Sequence, residues 1–192
     1  MPTLPPFTRL TGLVFRVTSP RYADLQQTAA MSQRYPGRFN TDAVGAVYVS
    51  REPQTAIDEL CRRAARDGAA LSAMHPRALF VVELDLQKVV DLTRPGALEA
   101  WGLTAEDLVD GDMSQCQALA AGAAERGAEG IRWRSATGAG QSIAVFLQQL
   151  GPQSRVRLSS TFDLTREMLA RLEAGERVVD LVPAVGGIPL IP

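Results

Sequence analysis

YPGRFNTDAVGAVYVSREPQTAIDEL, residues 35–60, predicts a turn, a strand and a helix in direct succession. Pro36 and Gly37 break regular structure at the turn. The apolar run GAVYVS predicts a short strand, and Pro53 suits the first turn of the helix that follows. Each element carries one polar side chain that could contact a ligand, and these are Arg38, Tyr48 and Glu59.

The predicted helix places Glu59 at the border of its buried face. At about 100° per residue, three apolar side chains share one face: Ala56, Leu60 and Ala64. A carboxylate at that border can face a cleft while the helix packs on the core. A second interpretation stays open, in which Glu59 is a surface residue that pairs with Arg63 one turn later.

Besides Glu59, four polar residues allow both an ordinary and a functional interpretation. Arg38 in a glycine turn could simply be exposed, and Tyr48, between two valines of a strand, could be a half-buried packing residue. Arg16 lies inside the apolar strand LVFRV, where a guanidinium is costly unless it meets a partner or a cleft. Ser135 lies in the loop SATGAG, and such loops can bind phosphate through backbone N–H groups.

The composition narrows the class of protein. The 192 residues fit one domain, and a hydrophobic content of 46% suffices for a core. A net charge of −1 gives no general attraction to nucleic acid or acidic membranes. Cys61 and Cys116 resemble neither a disulfide framework nor a zinc site, which fits a reducing cytoplasm. The single histidine, His75, offers no histidine-based metal site, and no stretch of about 18 apolar residues predicts a membrane span.

The order of predicted elements indicates one mixed α/β or α+β domain over residues 1–192. Its core is expected at about 13–146, and residues 151–192 are expected to add a strand, a helix and an extended tail. The stretch RYADLQQTAAMSQRYPGRFN is expected to be irregular, with a helical turn at most. LEAWGLTAEDLV is expected to be helical.

Four blocks, in order along the chain, resemble the RES domain family, which is named for an arginine, a glutamate and a serine. VFRVTSPRYA resembles its opening strand, and GRFN, YVS and TAIDEL resemble its glycine-arginine turn, its second strand and its helix start. LDLQKVVDLT is similar to the middle of the domain, and QALAAGAAERGAEGIRWRSATGAGQSIAVF to the block near its end. The sequence departs from the family pattern at Pro36, Gln141 and Val17.

The resemblance implies the fold of ADP-ribosyltransferase toxins: a split, mostly antiparallel mixed sheet flanked by helices, with a nicotinamide cleft. It implies a toxin that consumes NAD by cleaving the nicotinamide–ribose bond, through hydrolysis or phosphorolysis. Two alternatives stay open: a protein ADP-ribosyltransferase that uses the same cleft, and a catalytically silent NAD-binding module. An Xre-like antitoxin that occludes the active site is the implied partner, in the cytoplasm. A homodimer stays open, and neither nucleic acid, membrane nor metal is expected.

The resemblance also implies roles for individual residues. Glu59 is expected to stabilise the cation that develops on the ribose. Arg38 is expected to take part in catalysis and, with Arg16, to hold the pyrophosphate.

The remaining implied roles concern one aromatic ring and two serine hydroxyls. Tyr48 is expected to stack on nicotinamide or adenine. Ser135 is expected to contact ribose hydroxyls or phosphate, and Ser50 is the alternative candidate for the serine of the family name.

Overall fold

The computed structural model describes residues 5–109, 111–138, 140–185 and 187–190. The strands are β1 (Thr8–Thr18), β2 (Val47–Ser50), β3 (Arg77–Asp91), β4 (Gly130–Arg134), β5 (Gln141–Val145), β6 (Arg155–Leu164), β7 (Ala184–Val185) and β8 (Ile188–Pro189). The α-helices are α1 (Leu25–Arg34), α2 (Pro53–Arg66), α3 (Ala97–Ala100), α4 (Ser114–Glu125), α5 (Arg166–Glu173) and α6 (Val178–Leu181). Short 3-10 turns lie at Pro20–Tyr22, Leu71–Met74, Glu106–Leu108 and Leu147–Gln149.

Strand β3 organises the main sheet. One of its edges pairs with β1, while the other pairs first with β6 and then, at Val89–Asp91, with β4. The sheet splits because one half of this edge of β3 pairs with β6 and the other half pairs with β4. The β3–β4 pairing is parallel, and the other pairings among the described strands are antiparallel. This topology confirms the predicted split, mostly antiparallel mixed sheet.

Five strands of the sheet form a closed circuit of pairings. Strand β1 pairs with β3 and also, at Phe15 and Ser50, with β2, which continues through β5 and β4 back to β3. Because strand side chains alternate, Val47 and Val49 point into this ring and Tyr48 points out. The interior is apolar, and each fully buried valine or leucine contributes about 1.5–3 kcal/mol.

Two further apolar clusters cover the outside of the ring. One joins α4 to Phe39 and Trp133, and the other joins α2, α5 and the C-terminal segment. In α2, the predicted face is buried, since Ala56, Leu60 and Ala64 are all in the core. Glu59 is half-buried at the border of that face, as the helical pattern predicts.

Two local predictions were wrong, and both errors have local causes. Residues 25–34 form helix α1, because the Asp24 carboxylate caps it by accepting from the amides of Gln26 and Gln27 at 2.8 and 3.0 Å. LEAWGLTAEDLV is not one helix, since α3 ends at Ala100 and Gly102 adopts a φ of 73°.

The C-terminal segment is less extended than predicted. Val178–Leu181 forms helix α6, and strands β7 and β8 then pair antiparallel. Val178 and Val182 lie one helical turn apart and are both buried in the cluster around α2, which favours a turn of helix there. Gly186 and residues 191–192 of the predicted tail lie outside the described residues.

Candidate active site

Glu59 and Ser135 meet although 76 positions separate them in the sequence. The Ser135 hydroxyl donates a hydrogen bond to Glu59 Oε1 at 2.6 Å. Ser135 is buried directly after β4, and Glu59 is half-buried on α2. The ion pairs among the described residues do not include the alternative pair of Glu59 with Arg63. The Glu59 carboxylate is therefore hydrogen-bonded to the loop after β4, and it forms no ion pair with Arg63 among the described residues.

The loop that carries Ser135 is held by its own hydrogen bonds. Thr137 contacts the Ser135 hydroxyl through its own hydroxyl at 2.8 Å and its amide at 3.1 Å. The Ser135 amide donates to the Gly140 carbonyl, and the Gly138 amide donates to the Ser135 carbonyl. These three amides are engaged within the loop, so the anion-binding backbone predicted from SATGAG is not offered by them. The serine hydroxyl instead orients the carboxylate.

Glu52 ties this loop to the start of α2. Its Oε2 accepts from the Gln141 amide at 2.9 Å and from the Thr55 hydroxyl at 3.2 Å. Gly140 has a φ of 79°, and a Cβ there would overlap Thr55 Oγ1 and Glu52 Oε2. Glu52 was not predicted from the sequence, although an acidic residue directly before a helical Pro53 is a recognisable signal at a helix start. This contact makes the glutamate helix and the serine loop one unit.

Arg16 is a half-buried cation that forms no ion pair with a carboxylate of the described residues. Its guanidinium donates to the Thr28 hydroxyl at 3.1 Å, and no ion pair among the described residues involves it. Burial, followed by the like charge of Arg63, lowers the pKa of Arg16 to about 10, so it stays charged at neutral pH. Arg63 lies one helical turn beyond Glu59 on α2. Arg16 and Arg63 thus form a cationic region, called here the Arg16 region, on one side of the glutamate.

Arg38 connects its turn to the segment before Val109. One guanidinium nitrogen donates to the Asp107 carbonyl at 2.5 Å. The Cys116 thiol donates to the same carbonyl at 3.3 Å. Burial raises the pKa of Cys116, against an opposing effect of its hydrogen bond with Arg38. These contacts place Arg38 against a segment whose next residues, Leu108 and Val109, line a pocket.

Tyr48 anchors the turn that carries Arg38. Its hydroxyl accepts from the Phe39 amide at 2.9 Å and donates to Asn40 Oδ1 at 2.8 Å. Its ring meets Trp133 edge-on, with centroids 6.2 Å apart, and burial raises the pKa of the phenol. Gly37 must lack a side chain, because a Cβ there would lie 2.7 Å from the tyrosine hydroxyl. These contacts explain the tyrosine structurally, and its stacking on NAD stays a prediction.

A pocket of about 380 Å³ opens beside Ser135 at the carboxyl ends of β3 and β4. Its polar wall includes Arg94, Arg134 and Glu99, and leucine and valine side chains supply much of the rest. Neither arginine was predicted from the sequence, because the parallel pairing that brings the ends of β3 and β4 side by side was not predicted. Ser135 therefore lies between Glu59 and this pocket.

A model of the RES domain matches residues 13–167. This chain belongs to the RES domain family. The match begins where the sequence motifs begin and runs past residue 146, through β6, to the start of α5.

Two relatives of this RES domain are informative. MbcT of Mycobacterium tuberculosis and of Mycobacterium bovis, named an NAD(+) phosphorylase, is 29% identical over 146 residues, which cover 74% of this chain and 78% of the relative. A chain in the crystal structure of the M. tuberculosis MbcT–MbcA toxin–antitoxin complex has a TM-score of 0.77 and 25% identity. That superposition covers 88% of this chain and 92% of the other chain.

The structure brings one of the two candidate serines of this RES domain to the glutamate. Ser135 contacts Glu59, whereas Ser50 is buried on β2 opposite Ser142 of β5. The Ser142 hydroxyl is itself buried and finds no hydrogen-bond partner among the described residues. Ser50 and Ser142 thus line the sheet surface on the side to which Tyr48 points.

The described part of this RES domain has no cluster of metal ligands and no helix that could span a membrane. Its histidine, cysteine and acidic side chains form no group of three that could hold a metal ion. None of its helices is long and apolar enough to cross a membrane.

Proposed function

We propose that this RES domain cleaves the nicotinamide–ribose bond of NAD, with water or phosphate as the acceptor. The observation that carries the proposal is the 2.6 Å hydrogen bond between the buried Ser135 hydroxyl and the half-buried Glu59 carboxylate. The relationship to MbcT, which is named an NAD(+) phosphorylase, supports the same reaction and favours phosphate as the acceptor.

The chemistry needs a fixed negative charge beside the ribose. When the bond breaks, its electron pair stays on the nicotinamide nitrogen and positive charge develops on the ribose. The Glu59 carboxylate stabilises that charge electrostatically. The Ser135 hydroxyl holds the carboxylate in place before the reaction, so little reorganisation is needed as the charge develops.

The acceptor completes the reaction by one of two routes. A phosphate oxygen can form the new bond to the ribose carbon, and no proton transfer to the leaving nicotinamide is required. A water molecule must also lose a proton, and Glu59 is the proposed base that accepts it. Transfer to a protein side chain, and binding without turnover, are the competing outcomes.

The cationic groups suit the rest of the dinucleotide. The Arg16 region offers a guanidinium without a carboxylate partner, which suits the pyrophosphate. Arg38, held by the turn that Tyr48 anchors, is assigned to the same substrate through its guanidinium. Tyr48 presents its ring near this turn, where nicotinamide or adenine could stack.

An antitoxin partner is part of the proposal. The structural neighbour was solved in a toxin–antitoxin complex, and we infer that an Xre-like antitoxin occludes the cleft of this chain too. A cytoplasmic location agrees with the free thiols of Cys61 and Cys116. Co-expression followed by size-exclusion chromatography with light scattering tests the antitoxin complex and also whether the chain forms a homodimer, which the sequence left open.

The experiment incubates the pure protein with NAD, with and without phosphate, and resolves the products by mass. ADP-ribose indicates hydrolysis, its 1″-phosphate indicates phosphorolysis, and label from radioactive NAD on a protein indicates ADP-ribosyl transfer. Tight binding of NAD without products would contradict an enzymatic function.

Glu59→Gln should lower kcat by about 10²-fold or more while NAD binding is largely kept, since the transition state loses its electrostatic partner. The glutamine can still accept the Ser135 hydrogen bond, so the fold should persist. Asp58→Asn, on the preceding residue of α2, is the matched control and should change kcat little. Full activity of Glu59→Gln would refute the assignment.

A further inference from the structure

The pocket beside Ser135 lies where two parallel strands end. Strands β3 and β4 pair in parallel at Val89–Asp91, and the pocket is lined by residues that follow both strands. Crevices outside the carboxyl ends of parallel strands are a common place for ligands. A volume of about 380 Å³ is also in the range of small-molecule sites.

The charge of this pocket is positive. Arg132 binds the Asp91 carboxylate through two nitrogens, and the Thr93 hydroxyl adds a hydrogen bond at 2.6 Å. Asp91 is thereby largely neutralised, and Arg94 reaches it only at 3.4 Å. Arg134 is exposed, and no ion pair among the described residues includes it.

One acidic side chain opposes these cations at the pocket wall. Glu99 lines the pocket and is exposed, as Arg94 and Arg134 are, so water screens all three charges alike. Arg94 and Arg134 outnumber it, and they can each offer a planar fork of donors to an oxyanion.

The pocket and the Arg16 region are linked to Glu59 through different residues. Ser135 joins the pocket to Glu59 by its 2.6 Å hydrogen bond, whereas Arg63 of the Arg16 region lies one turn along α2. Phosphorolysis of NAD brings two anionic groups to the reacting ribose: the pyrophosphate of the substrate and the free phosphate. The structure has a cationic region for each.

We propose that this pocket is a phosphate subsite, held by Arg94 and Arg134 and separate from the Arg16 region. The inference rests on the proposed function and deepens it. The phosphate group has two sources, the inorganic phosphate that attacks the ribose or a phosphate of the dinucleotide itself. In the first case a phosphate oxygen bonds to the ribose carbon, and the electron pair of the broken bond leaves with nicotinamide.

The kinetic test compares Arg94→Gln and Arg134→Gln with Arg166→Gln, which removes an exposed arginine at the start of α5. Loss of one charge-assisted contact should raise KM by about tenfold or more. A rise in KM for phosphate with an unchanged KM for NAD identifies inorganic phosphate as the ligand. A rise in KM for NAD alone identifies a phosphate of the dinucleotide. If both variants match Arg166→Gln in both constants, the subsite does not exist.

A binding measurement separates this inference from the proposed function. Titration of inorganic phosphate into the wild type and the same variants, by calorimetry or phosphorus NMR, needs no turnover. Loss of phosphate binding in both pocket variants, in a protein that leaves NAD intact, would support the subsite and refute the enzymatic function. If all variants cleave NAD with equal KM values and bind phosphate equally, the subsite is refuted and the enzymatic function stands. Because Arg134 is exposed and outside every ion pair described, Arg134→Gln should fold normally.

Discussion

Tyr48→Phe separates two roles of the tyrosine, because phenylalanine keeps the aromatic ring and removes only the hydroxyl. A stacking residue should tolerate the change. A residue that anchors the turn should not, since the hydroxyl bridges the Phe39 amide and Asn40 Oδ1 at 2.9 and 2.8 Å.

The contacts set the size of the expected loss. Asn40 Oδ1 keeps a second donor, the Gly37 amide at 2.7 Å, so its loss should be small. The Phe39 amide has the Tyr48 hydroxyl as its partner in a fully buried residue, and an orphaned buried N–H costs about 1–3 kcal/mol. For a chain of this length each kcal/mol lowers Tm by about 2–4 °C. The variant should therefore unfold about 2–12 °C below the wild type.

Urea and thermal unfolding of Tyr48→Phe measure this loss, and Tyr35→Phe is the matched control. Tyr35 belongs to the same segment but is 76% exposed, so its hydroxyl should contribute less than about 0.5 kcal/mol. KM for NAD should rise in Tyr48→Phe as the turn that carries Arg38 loosens. Equal stability of the two variants would refute the anchoring role.

Three further substitutions test the surroundings of the site. Gly140→Ala should destabilise the protein and lower kcat/KM, because the new Cβ overlaps Thr55 and Glu52. Gly138 has a similar positive φ but open space around it, so Gly138→Ala is the control. Equal losses of stability and of kcat/KM in the two variants would contradict the close contact of Gly140 with Thr55 and Glu52. Glu129→Gln should lower the free energy of unfolding by about 2–4 kcal/mol at pH 7, because the carboxylate accepts four hydrogen bonds. Burial raises the pKa of Glu129, but these four hydrogen bonds, led by that from Ser154, outweigh burial and lower the pKa. That stability is present above the usual carboxyl pKa and fades as pH falls through the lowered value, so urea unfolding at pH 3 and pH 7 should show a smaller difference in the variant than in the wild type. Arg16→Met should leave the free energy of unfolding equal or higher, because a poorly compensated buried charge is removed. KM for NAD should rise about tenfold in the same variant. A large loss of stability would contradict the anion-binding role.

The local parts of the site could be predicted from the sequence because their signals are local. The glycine turn, the strand with Tyr48 and the helix with Glu59 lie within 26 consecutive positions, 35–60, and each follows turn, strand or helix periodicity. The error at residues 25–34 was also local, since Asp24 is a helix-capping residue and its signal was overlooked.

The long-range parts could not be predicted without the topology. Ser135 reaches Glu59 only because β4 pairs with β5 and β5 with β2, which leads directly into α2. The pocket with Arg94 and Arg134 depends on the parallel pairing of β3 and β4, which no periodicity in either strand reveals.

The position of the carboxylate is therefore set less by Glu59 itself than by the contact between its helix and the loop after β4. Glu52 fastens the start of α2 to Gln141, and Ser135 fastens Glu59 to the other end of the same loop. Glu52 fixes the start of α2, and Ser135 fixes the Glu59 carboxylate itself. The Glu59 carboxylate therefore has little freedom to turn toward water. Preorganised charge of this kind stabilises a developing cation without the cost of reorganising solvent. Within this RES domain, the residues from 52 to 59 and from 135 to 141 should consequently behave as one unit, and double-mutant cycles between Glu52 and Ser135 should show coupling in kcat that exceeds the coupling in NAD affinity.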